Sequence, residues 1–314
     1  MDFKQIEAFV WVADMGNFRV AAEKLHTTQP AISQRIAGLE ASLSVRLFDR
    51  GGRGIRLTEK GQELLPHAQR ILAMRTEMLA AAGHSGTIRG LFRIGVAETL
   101  VHTWLPQLMD RLHRRHPALV VEIQVDTSHT LRSQLFAHQI DLAMLVDTSP
   151  EPRERSLSLG AYSLAWVASP QLRLHECMVS VKELGEFAII TYPAHSLPYQ
   201  AVKNVLQSAG VASPRIFASA SLSTIVHMAK LGMGPCVIAP DIIADELASG
   251  RLRLLQTDSE LPDIDFYACW LDSPDAHTAM VVARMAQQAA REYRQGLPET
   301  GVLTARSINA DQMA

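Results

Sequence analysis

Between Thr28 and Arg56 the chain gathers side chains that could read a duplex. Gln29, Ser33, Gln34 and Arg35 fall off the stripe made by Ile32, Ile36 and Leu39, so one helix face presents amide, hydroxyl and guanidinium groups. Those groups suit base edges, since Gln can pair with adenine and Arg with guanine through two hydrogen bonds each. Thr27 or Thr28 can cap that helix through a side-chain oxygen. Pro30 sits in its first turn, where a missing N–H costs nothing. Beyond it, Arg50, Arg53 and Arg56 ride on a Gly-rich turn between Leu47-Phe48 and Ile55-Leu57, cations placed to meet phosphates. A polar helix face more often does nothing but meet solvent. Three arginines on one protruding loop argue for more.

The elements that must position these groups follow from the flanking pattern. Val20, Ala21, Ala22 and Leu25 predict a short helix ending near His26, so the order is helix, turn, helix and then a basic hairpin. That is a winged helix-turn-helix. Thr58 caps a further helix with Gly61 in its first turn, and Leu64, Leu65, Ala68, Ile71, Leu72, Met74, Met78 and Leu79 continue it to about Ala82. Its apolar stripe is long for so small a domain. Pairing with a second copy is therefore expected, the alternative being packing onto the body of the same chain. Gly83, Ser85, Gly86 and Gly90 predict a hinge.

After the hinge, strands and helices alternate: Leu91 to Val96, a helix through Trp104 to His116, Val120 to Val125, a helix from Thr130 to Ala137, and Asp141 to Val146. A second set has strands near Ser163 to Ala168, Ala188 to Thr191, Ile216 to Ala220 and Cys236 to Ala239. Asp265 to Trp270 and a helix from Ala276 to Tyr293 return to the first set. This predicts an α/β body in two lobes with mostly parallel sheets. Ligands of such sheets collect beyond the carboxyl ends of strands, at helix N-termini. Four hydroxyl-bearing segments answer to that rule: Glu98-Thr99-Leu100, Thr127 to Thr130, His195-Ser196 and Ser221 to Thr224. The candidates are Thr99, Leu100, Ser128, Ser196, Ser223 and Thr224. Each alone could be an ordinary cap. No Lys or Arg falls in these segments, which suits a small carboxylate held by hydrogen bonds, with Trp104, Phe136 or Tyr199 against an aromatic body. Glu98 would oppose an anion unless it points away or is protonated. Trp166 and Trp270 read as strand core.

A chain of 314 residues suggests two or three domains. Net charge is only −2, but residues 1–90 hold 12 Lys and Arg against 9 Asp and Glu, and the remainder 18 against 23. A mildly basic head on an acidic body fits a nucleic-acid module joined to something else. Cys177, Cys236 and Cys269 are too scattered for a disulfide framework or a zinc site and read as buried thiols. His113 and His116 lie among Arg111, Arg114 and Arg115, a setting that repels metals and reads as a solvated basic face. No metal or cofactor is expected. The opening Met-Asp-Phe-Lys-Gln-Ile-Glu is unlike an export signal and no apolar run reaches about 18 residues, so a cytoplasmic chain with no membrane partner is expected. Gly-x-Ser-x-Gly, phosphate-loop and His-Glu-x-x-His patterns are absent from the sequence, which speaks against an enzyme. A solute-binding protein, the other alternative, would not carry the wing.

The stretch from Phe3 to Gly61, with Phe9, Ala21, Ala22, Leu25, Thr28, Gln29, Pro30, Ala31, Ser33, Ile36, Leu39, Glu40, Leu47, Phe48, Arg50, Leu57, Thr58 and Gly61, resembles the DNA-binding domain of LysR-type transcriptional regulators. Asn17 and Arg19 stand where that family more often has small hydroxyl residues, and Arg35 follows Gln34 where the reverse order is frequent. These departures touch operator preference rather than class. The resemblance implies a mainly-α winged helix-turn-helix over 1–58, a linker and dimerisation helix with hinge over 59–89, and a two-lobed, periplasmic-binding-protein-like α/β effector domain over 90–296. Lobe I would take about 90–160 and 265–296, lobe II about 161–264, and 297–314 would be a disordered tail. It implies double-stranded operator DNA and a small-molecule effector as partners, with a homodimer or homotetramer as the assembly. Thr28, Gln29, Pro30, Ser33, Gln34, Arg35, Arg50 and Arg53 become the DNA-contacting set. Gln29, Ser33 and Arg35 would face bases, and Thr28, Arg50 and Arg53 phosphates or the minor groove. Some members of the family sense oxidants through cysteines, which leaves that role open for the three here.

Overall fold

Asp2 opens the first helix. In the computed structural model, which describes residues 1–25, 27–49, 55–81, 88–146, 154–272 and 276–296, its carboxylate accepts from the Gln5 amide at 2.8 Å while the Gln5 side chain accepts from the Asp2 amide at 2.9 Å. Two otherwise orphaned donors are thereby satisfied, and α1 runs Phe3–Met15. Gly16 ends it at φ 60°, a left-handed turn that a side chain would strain. Asn17 caps α2 (Phe18–Lys24), and Thr28 caps α3 (Gln29–Leu43), its hydroxyl 3.4 Å from the Ala31 amide. Ile32, Ile36 and Leu39 are buried in one cluster with Phe9, Trp11 and Val12 of α1 and Phe18 and Ala21 of α2.

One side chain of α3 ties the wing to that helix by hydrogen bonds. β1 (Phe48–Asp49) pairs antiparallel with β2 (Arg56–Leu57), and the Glu40 carboxylate accepts from the amides of Leu47 and Phe48 at 2.7 and 3.4 Å. The Phe48 ring meets Phe9 and Phe18 edge-on, 5.6 and 6.0 Å between centroids. Glu40→Ala should orphan both amides and lower stability by about 1.5–3 kcal/mol, the usual range for hydrogen bonds to a charged group. Urea unfolding checks this, and a loss below about 0.5 kcal/mol, the scatter of ordinary surface changes, would show that Glu40 does not anchor the wing.

The Thr58 hydroxyl accepts from the Gly61 amide at 2.9 Å and starts α4 (Glu59–Ala81). A Cβ at Gly61 would overlap the Leu47 carbonyl oxygen, so glycine here permits the helix to leave the wing closely. The predicted single stripe on α4 is in fact two faces. Leu64, Leu65, Ala68 and Leu72 pack on the three-helix core of their own chain, whereas Ile71, Met74 and Met78, turned roughly a quarter of the way round, are exposed.

Packing divides the described residues into two compact units, one within 1–88 and 272–281, the other within 89–271 and 282–296. The second unit begins with β3 (Gly90–Val96), α5 (Glu98–Val101), α6 (Leu105–Arg115), β4 (Leu119–Val125), α7 (Ser128–Phe136), β5 (Leu142–Val146) and β6 (Glu154–Ser163). Next come β7 (Ala165–Ala168), α8 (Val181–Leu184), β8 (Ile189–Thr191), α9 (Leu197–Ser208), β9 (Ile216–Ala218) and α10 (Leu222–Lys230). β10 (Cys236–Ile238), α11 (Ala244–Ala248), β11 (Arg253–Leu254), β12 (Asp263–Leu271) and α12 (Ala276–Gly296) from Val282 onward complete it. One sheet has the order β4-β3-β5-β12-β6 and the other β11-β7-β10-β8-β9. β3, β4 and β5 are mutually parallel, as are β8, β9 and β10, and antiparallel strands close the other side of each sheet. The chain passes between sheets at Leu164 and again between Leu254 and Asp263, giving two lobes.

Several expectations change in detail. β6 is not among the expected strands; it pairs with β12 along its length and carries the chain to the first crossing. The helix expected through Trp104 is broken into α5 and α6, and Trp104 is core, its indole N–H donating to the Tyr162 hydroxyl at 2.9 Å. His116 is not on a solvated face: it is buried, and burial followed by the Arg115 charge pulls its imidazole below the usual range. Cys177 is exposed rather than buried, whereas burial holds the Cys236 thiol up at about 12 and so keeps it protonated. Trp166 and Trp270 are buried. The glycine hinge from Gly83 to Gly86 and the tail from residue 297 lie outside the described residues.

Candidate functional site

Two surfaces bear chemistry. On α3, Thr28, Gln29, Pro30 and Gln34 are exposed, while Ser33 and Arg35 are half-buried, Arg35 lying on the flank of the apolar stripe. The outermost line of the helix is therefore Pro30, Gln34 and Ala37 rather than Arg35. Arg50 and Arg53 lie outside the described residues; Arg56 is exposed on β2 at the base of the hairpin.

The second surface is a cavity of about 640 Å³ in the second unit. Its wall is built where β3 gives way to α5, β4 to α7, β8 to α9 and β9 to α10, each at the carboxyl end of a parallel strand. Polar caps sit at three of those turns. Thr127, Ser196 and Ser221 accept through their hydroxyls from the amides of Thr130, Tyr199 and Thr224 at 3.4, 3.3 and 3.4 Å. Ser128 instead accepts from the Val146 amide at 3.0 Å, joining α7 to the end of β5.

Thr99, Ser128 and Ser196 line the cavity as expected from the sequence. Leu100 does not: its side chain is fully buried in the core beneath. Ser223 and Thr224 also stand outside the wall and face solvent, because α10 turns their positions outward and presents Ser221 instead. None of Trp104, Phe136 and Tyr199 is on the wall; the aromatic groups there are Tyr192 and Phe266. The Tyr192 hydroxyl is buried, which pushes the phenol well up, with the neighbouring Thr99 hydroxyl opposing the shift.

Arg132 and Asp126, absent from the sequence expectation, also line the wall. Arg132 reaches it from α7 and lies 3.4 Å from the buried Glu154 carboxylate, so its charge is already shared. Its position four residues after Ser128 places both on one helix face, a spacing that could have revealed it. Asp126 lines the cavity while accepting from the Thr127 amide at 2.7 Å. His129 and His195 face each other from the two lobes, ring centroids 6.0 Å apart. Glu98 does not point away. Its carboxylate crosses the cleft and accepts from the backbone N–H of Leu222, the first residue of α10, at 2.7 Å. Among the described residues no group of three or more metal-ligating side chains comes together, and no helix is long and apolar enough to cross a membrane.

Comparison with known proteins covers both parts of the chain. Residues 3–62 match the bacterial regulatory helix-turn-helix protein, lysR family, and residues 85–291 match the LysR substrate binding domain. The chain is 29% identical to the HTH-type transcriptional regulator BbuR of Bordetella bronchiseptica over 258 residues, covering 80% of this chain and 78% of that protein. It is 27% identical to the HTH-type transcriptional regulator DgdR of Burkholderia cepacia, covering 84% and 85%. ArgP from Mycobacterium tuberculosis has a similar fold, with a TM-score of 0.59 at 23% identity over 92% of this chain and 97% of that one. Full-length OxyR from Pseudomonas aeruginosa gives 0.58 at 20% identity over 95% and 99%. These relatives are named as regulators and not as enzymes. The chain belongs to the LysR family: it is a DNA-binding transcriptional regulator carrying a substrate-binding domain.

Proposed function

We propose that the protein is a cytoplasmic homodimer or homotetramer that recognises a specific operator and changes its hold on that DNA when a small carboxylate enters the cleft. Gln29, Ser33, Gln34 and Arg35 read base edges in the major groove, Thr28 and Pro30 lie against the backbone, and Arg50 and Arg53 hold phosphates or the minor groove. The observation that carries this reading is the uncovered polar face of α3, backed by a wing that Glu40 fixes to the same helix. Ligand control is a population shift: a molecule that prefers one arrangement of the two lobes biases the DNA-bound arrangement without any bond being made or broken. Thr99, Ser128 and Ser196 on the wall supply the hydrogen bonds, with Ser221 taking the place expected of Ser223 and Thr224.

Arg35→Ala tests the DNA-reading half. A side chain paired with guanine should cost about 1–3 kcal/mol on the preferred site and much less on scrambled duplex. Equal losses on both, in competition gel shifts, would make Arg35 a phosphate contact and remove it from the base-reading set.

A further inference from the structure

The cleft carries an anion of its own. Glu98, the first residue of α5 in one lobe, sends its carboxylate to the amino end of α10 in the other, where it accepts from the Leu222 amide at 2.7 Å. Free amides and the helix dipole make that position favourable for negative charge, and a tethered carboxylate already fills it. The contact joins the two lobes across a cavity of about 640 Å³, whose wall also holds Asp126. Arg132 does little to offset these two acidic groups, since it is shared with buried Glu154, and the His102 imidazole, 3.8 Å from Glu98, offsets that charge only in its protonated form.

A simple carboxylate entering here would have to eject Glu98 from α10 and then share a partly desolvated cleft with two like charges. A molecule that also brings a cation would leave Glu98 compensated after the exchange. Resting on the proposal that this cleft is the effector site, we propose that its ligand is an amino acid, whose carboxylate takes the Leu222 amide from Glu98 and whose ammonium group is held by Glu98 and Asp126. Glu98 stands where that carboxylate would sit and latches the lobes. The ligand exchanges one cross-lobe bond for a bridge through itself, and this makes occupancy matter to the relative placement of the lobes.

The test is calorimetry on the full chain with the twenty common amino acids, each beside its deaminated acid and its decarboxylated amine. At least one amino acid should bind at least about tenfold more tightly than both of its truncated counterparts. Glu98→Gln should reverse that order, weakening the amino acid and strengthening the deaminated acid, each by about tenfold. Asp126→Asn should weaken the amino acid without strengthening the acid, since Asp126 does not occupy the α10 amides. A deaminated acid that binds the unaltered protein as tightly as its amino acid, with Glu98→Gln changing neither, would overturn the proposal. If Ala220→Trp, which fills the cavity, then abolishes that acid's binding, the cleft is still the ligand site and only the zwitterion is lost. Amino-acid binding that survives Ala220→Trp would overturn the choice of cleft itself, and no binding in any series would overturn both.

Discussion

Met74→Glu combined with Met78→Glu should leave a folded monomer whose affinity for a two-half-site operator is about 10²–10⁴-fold lower, while its affinity for a single half-site is unchanged. Both methionines are exposed, at 67% and 63%, on a face of α4 that continues from Ile71 and is distinct from the face packed on its own core. Removing them takes nothing from the fold, so stability should stay within about 0.5 kcal/mol. In the proposed dimer a second copy of α4 covers this face, and two linked heads gain the affinity of a second, effectively intramolecular binding step. Sedimentation equilibrium together with gel shifts on whole and half operators checks the claim. A variant that stays dimeric would move the assembly surface elsewhere.

Gln29→Glu should strip specific DNA binding while leaving the head at least as stable. Gln29 is exposed at the first position of α3, a helix with no acidic residue in its first turn, so a carboxylate there adds about 0.3–1 kcal/mol through the helix dipole. The same carboxylate would face the duplex. It abolishes a pairing worth about 1–3 kcal/mol per half-site and sets a negative charge beside phosphates. Over two half-sites the loss comes to about 2–6 kcal/mol, or from about thirtyfold to about 10⁴-fold. Thermal unfolding and operator titration should move in opposite directions. If both fall together, Gln29 is part of the packing and the face assigned to DNA lies elsewhere on the helix.

What the sequence made legible was local. Thr28, Pro30 and the Ile32-Ile36-Leu39 stripe define α3 because cap, first-turn proline and 3.6-residue period all act within one helix. The helix openings on the cleft could be placed by the same logic, since strand ends and hydroxyl caps are read within a few residues. Which face a helix turns inward was harder. Ser223 and Thr224 follow Ser221 by two and three residues, and that rotation carries them out of the wall. His116 stands at the end of α6 among arginines, and only tertiary packing buries it. The α4 stripe looked single because its two apolar faces adjoin. Least accessible was the Glu98–Leu222 contact, whose partners are 124 residues apart and meet only once both lobes are built.

The central claim is that α3 and its wing read sequence in duplex DNA. Footprinting of the purified full chain over fragments of its own genome, at about 150 mM salt, tests it most directly. The expected result is one or more protected sites with two half-sites on one face of the duplex, held at least about 10³-fold more tightly than bulk DNA and lost in Gln29→Glu. Uniform weak protection of all fragments, unaffected by Gln29→Glu, would contradict it.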